Sequence, residues 1–103
     1  MEMEKPEVTH YQFRLRWRGK VGTCEGRSLK TPEHLTLQVR MQTTEGFLMF
    51  EVAEVASLEA AWPLLLKVCG QRGVDPLEFR TTDGAFSPWT LVPGAAVVAA
   101  PGG

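Results

Sequence analysis

The sequence predicts a single α+β domain, a small mixed sheet of four to five strands packed on one helix. Three observations carry this prediction. Two stretches have a hydrophobic period of two, one later stretch has a helical period, and short extended runs separated by turn residues follow it. The 103 residues fit one domain with one modest core. Residues 1–9 read as a flexible, solvated N-terminal arm and residues 10–103 as the domain.

The first strand is written in "YQFRLRWRG". Tyr11, Phe13, Leu15 and Trp17 alternate with Gln12, Arg14, Arg16 and Arg18, so one face is aromatic and apolar and the other cationic. The next stretch, "GKVGTCEGRSLKTPE", holds three glycines and a proline and reads as a long loop with at most a brief extended piece. "HLTLQVRM" alternates again, and "FLMFEVAEV" returns after the turn "QTTEG", in which Gly46 can take positive φ. Together they predict an antiparallel hairpin.

Leu58, Ala61, Trp62, Leu65, Leu66 and Cys69 then form one helical stripe. Ser57 suits the N-cap, Glu59 the positive end of the helix dipole, and Gly70 or Gly73 the C-terminus. Pro63 opposes the carbonyl of Glu59, so the helix either kinks there or starts near it. "VDPLEFRTT" alternates once more, with Leu77 and Phe79 on one side. After the loop "DGAFSPW", "TLVPGAAVVAA" predicts a type II turn at Pro93-Gly94 and a closing strand. A chain leaving the hairpin through the helix is expected to return to a parallel strand.

From about His34 onward the chain resembles the β-grasp family of ubiquitin and the bacterial sulfur carriers. The resemblance rests on the hairpin, the helix stripe, "GVDPLEFR", the spacing Leu91-x-x-Gly94-x-x-Val97 and the terminal Gly102-Gly103. It implies a ubiquitin-like protein modifier or carrier with no catalytic residues and no cofactor. An E1-type enzyme would activate the chain at Gly103, and downstream proteins would accept it as a thioester, thiocarboxylate or isopeptide. Glycines at positions 102 and 103 would let the tail thread a narrow channel. Lys5, Lys20, Lys30 and Lys67 would be chain-forming sites of a polymerising modifier. The alternative is a non-catalytic β-grasp interaction module, cut from a longer protein, in which the glycines begin a linker.

The remaining candidates follow from residue type. Arg14, Arg16 and Arg18 could bind phosphate or an acidic partner, joined by Arg40 if the strands are neighbours, or they could form a solvated face with cross-strand partners such as Glu51. No aromatic shares that strand face, so base stacking has no platform and no nucleic-acid partner is expected. Phe86 and Trp89 could form a contact patch or cap the core. Cys24 could be a loop nucleophile, with His10 and His34 as the candidate bases. The cysteine and histidine spacing predicts no metal site. The formal net charge is −1, and no apolar run reaches the roughly 20 residues of a membrane span. These features predict a cytoplasmic monomer without membrane association, its two thiols in a reducing compartment.

Overall fold

A computed structural model describes residues 5–83 and 87–95. Six strands and one helix follow in the order β1 (Glu7–Trp17), β2 (Lys20–Lys30), β3 (Leu35–Thr43), β4 (Gly46–Val55), α1 (Leu58–Gly70), β5 (Val74–Thr81) and β6 (Thr90–Leu91). The sheet order is β4-β3-β2-β1-β5-β6. All five pairings are antiparallel. The fold is therefore α+β, but among the described residues the sheet has six strands and is not mixed. The expected return to a parallel neighbour does not occur. β1 to β4 form a meander, α1 carries the chain back across one face, and β5 takes the edge of β1 that β2 leaves open, running antiparallel to it.

The largest departure from expectation is β2. The glycine-rich stretch read as a loop is an eleven-residue strand in the middle of the sheet. Its core face is small because the core face of β1 is large. Leu15 stands opposite Gly22, Phe13 opposite Cys24 and Tyr11 opposite Gly26. A Cβ on Gly26 would lie 2.6 Å from Phe13 Cε1 and 2.8 Å from the carbonyl oxygen of Gln38. Glycine in this strand thus marks close approach. The ring of Phe13 fills the space above it, in contact distance of Tyr11, Trp62 and Phe79, with ring centroids 6.0, 6.2 and 6.2 Å away. β1 itself begins at Glu7, so residues 7–9 belong to a strand and not to the arm.

Two bulges reset the strand phase. Leu35 pairs Val55 and Leu37 pairs Val52, with Glu54 at φ 57 in the extra length of β4. Val52 and Val55 can then both face the core, which strict alternation forbids. Between Arg14 and Leu15 the partner on β5 shifts from Glu78 to Pro76. Pro76 and Val74 are consequently buried, whereas Leu77 is the residue that the shift displaces.

The hairpin of β3 and β4, the turn glycine Gly46 at φ 128 and the helix stripe follow the sequence prediction. Ser57 Oγ accepts a hydrogen bond from the backbone N–H of Ala60 at 3.2 Å. The helix runs on from Leu58 through Pro63, which is on its exposed side beside solvent that can serve the Glu59 carbonyl. It closes at Gln71, and Gly73 takes φ 72 before β5. Ala61, Trp62, Leu65 and Cys69 are its buried residues. Pro93-Gly94 forms the expected turn, with Gly94 at φ 80 and the Ala95 N–H donating to the Val92 carbonyl at 2.9 Å. The rest of the closing strand predicted beyond Ala95 lies outside the described residues.

Candidate functional site: the open face of the sheet

α1 packs on one face of the sheet, and among the described residues no helix covers the other. The pairing arranges the side chains of this open face in rows across the strands. One row reads Glu51, Gln38, Arg27, His10 from β4 to β1. Gln38 Nε2 donates to Glu51 at 2.7 Å, Arg27 Nε donates to Gln38 at 2.8 Å, and His10 meets Asp83. The next row reads Met49, Arg40, Glu25, Gln12, Arg80. Arg80 donates twice to Gln12 Oε1, at 2.9 and 2.7 Å. In the row beyond it, Arg14 is paired with Glu78 at 3.2 Å.

Trp89 joins the last two rows. The guanidinium carbons of Arg14 and Arg80 lie 4.2 and 4.5 Å from its ring centroid. The indole is half-buried on the outer surface, so it does not cap the core. Each arginine is anchored by a second bond, Arg14 to Glu78 and Arg80 to Gln12. Cation–π contacts at such distances hold the indole in a fixed pose. The segment before it is tied down by Ser87, whose Oγ donates to the Thr81 carbonyl at 2.8 Å. Beyond it, exposed Leu91 stands opposite Glu78. Two candidates that look unrelated in the sequence, an early arginine strand and a late aromatic loop, thus meet in one cluster.

The three arginines of β1 and its turn do not act as one patch. Arg16 lies opposite Val21 and Asp75, next to the cluster. Arg18 is a turn residue at φ 52, followed by Gly19 at φ 75, and these paired positive values fit the tight turn of a two-residue hairpin. Its guanidinium sits over Trp17 at 4.2 Å, and it approaches Glu45 only to 4.0 Å. Arg40 does not join the β1 arginines, because β2 intervenes, and it stacks on Phe47 at 3.8 Å. Phe86, Gly102 and Gly103 lie outside the described residues. Sequence reasoning missed Arg80 and its anchor Gln12. The alternation of β5 placed Arg80 on an outer face, but nothing in it showed that β5 lies beside β1.

Cys24 is buried in β2 and not displayed on a loop. Burial, with smaller contributions from Cys69 and Glu25, pushes its thiol up to about 12. Burial and Asp75 do the same to Cys69. A nucleophilic thiol needs the opposite environment. Among the described residues no three His, Cys, Asp or Glu side chains gather to hold a metal ion, and no helix is long and apolar enough to cross a membrane. No protein-family model, curated protein or solved structure matches the chain.

Proposed function

We propose that the chain is a non-catalytic interaction module that binds an acidic protein partner through the open sheet face. The observation that carries this reading is Trp89 laid against the guanidiniums of Arg14 and Arg80 on an uncovered surface. Aromatic and arginine side chains held in place are the residue types that dominate binding energy at protein interfaces. Arg16, beside them, makes no hydrogen bond to a carboxylate among the described residues and is the cation best placed to meet one from outside. Two buried thiols favour a reducing compartment, and we place the module in the cytoplasm. The test is quantitative cross-linking in the native host. A partner captured by the wild type should be lost with Trp89→Ala and with Arg16→Glu, and kept with Glu59→Ala on the helix. A complex that survives both face variants would sink the reading.

A second reading, favoured by Gly102-Gly103 and the "GVDP" stretch, is the ubiquitin-like carrier of β-grasp type activated at Gly103 by an E1-type enzyme. The antiparallel sheet adds nothing to its support. Mass spectrometry of N-terminally tagged protein, with and without Gly103, separates the two. A C-terminal adduct that requires Gly103 favours the carrier, and its absence leaves the module.

A further inference from the structure

The two edges of the sheet differ. β6 is two residues long, whereas β4 runs ten residues, Gly46–Val55, with no neighbour on its outer side among the described residues. Long edge strands are normally guarded by lysine, proline, a bulge or a covering segment, since their free backbone groups template further pairing. β4 contains no lysine, arginine or proline. Its guard is the bulge at Glu54, which protects only the C-terminal end. The unguarded run is therefore Gly46–Val52, and its midpoint is Met49. On the open face this run carries Phe47 and Met49, 56% and 60% exposed, followed by Glu51.

We propose that two copies of the chain pair antiparallel through Gly46–Val52 about a twofold axis at Met49, joining two six-stranded sheets into one. Twofold pairing of identical strands is self-complementary by symmetry, so each residue must suit its own opposite number. In this register Met49 faces Met49 of the partner, and Glu51 faces Phe47. Phe47 carries the Arg40 guanidinium at 3.8 Å, so each Glu51 meets an Arg40 across the interface. Moving the axis to Glu51 would set two carboxylates directly opposite, which is unfavourable. Moving it to Phe50 would pair Glu51 with Met49 and forgo the charge contact. The occupant is a second copy because the edge supplies both halves of the complement. A dimer of this kind is the alternative to the monomer that the sequence predicts.

Sedimentation velocity of the full chain tests this. The wild type should sediment at twice 11.4 kDa in the micromolar range. Met49→Lys, which sets two ammonium groups at the axis, should halve the mass. Glu51→Arg should weaken the dimer, and adding Arg40→Glu should restore it by reversing the pair. Met49 and Glu51 are exposed, so circular dichroism should report an unchanged fold in each variant. Trp89→Ala, at the far side of the sheet, should leave the mass unaltered. A monomeric wild type at hundreds of micromolar, an open ladder of higher oligomers, or a dimer indifferent to Met49→Lys would overturn the proposal. Failure of the double charge reversal to restore a dimer broken by Glu51→Arg would overturn its register.

Discussion

The two faces of the sheet are built from alternate residues of the same strands, yet they do different work. On the covered face Phe13, Leu37, Val39 and Val74 are wholly buried and share one core with Leu65 and Cys69 of α1. Ser28, a buried polar side chain on this face, bonds the Tyr11 hydroxyl at 3.0 Å. On the open face each strand from β1 to β5 contributes a charged or amide side chain to rows of cross-strand bonds. The covered face gains from apolar burial, which is non-directional and large. The open face is held by exposed ion pairs and hydrogen bonds, each worth about 1 kcal/mol or less. Stability therefore resides on one side and recognition can reside on the other without conflict.

Substitutions can break this contrast, beginning on the covered face. Phe13→Ala should destabilise by about 3–5 kcal/mol, because it empties the centre of the aromatic cluster. Urea unfolding followed by circular dichroism measures it, and a loss below 1 kcal/mol would deny Phe13 its central place. Gly26→Ala should cost about 1–3 kcal/mol, since the new methyl meets a packed ring and a backbone carbonyl. The matching change on the open face, Thr23→Val, should stay within about 0.5 kcal/mol.

The buried thiols give the covered face an alkaline limit. Folded Cys69 holds its proton to about 12 against an ordinary value of 9.0, so the unfolded chain binds fewer protons in that window. Stability is complete below about pH 9 and falls as pH rises from there towards 12. Cys69→Ala should lessen that fall and leave the share of Cys24, and an unchanged slope would refute the assignment. Trp89→Ala should change stability by about 1 kcal/mol or less while removing partner capture, the separation of roles that the two faces predict. The smallest effect belongs to Asp83, whose carboxyl the backbone N–H and ring of His10 hold below its usual range. Contact between them is present above the ordinary carboxylate range and is lost as pH falls through the lowered value. Asp83→Asn should abolish that acid dependence in the chemical shift of the His10 amide.

Much of this architecture was legible because it depends on local pattern. The alternation of Tyr11 to Trp17, the hairpin around Gly46, the helical stripe, the Ser57 cap and the Pro93-Gly94 turn each follow from residues close in sequence. β2 was not legible. Its core face carries Gly22, Cys24, Gly26 and Ser28, and nothing local distinguishes small residues chosen to sit under Phe13 and Tyr11 from small residues in a loop. The bulges at Glu54 and before Leu15 were equally hidden, since a phase shift shows only against a partner strand.

By itself, then, the sequence determined the α+β class, the helix with its cap and the cationic character of one side of β1. The tertiary structure alone decided that β5 runs antiparallel beside β1, that β4 is the long edge strand among the described residues, and that Trp89 rests against Arg14 and Arg80. The physical reason is the range of the interactions. Backbone preference and hydrophobic period act over a few residues, while strand order is settled by which large side chains find small ones across the sheet.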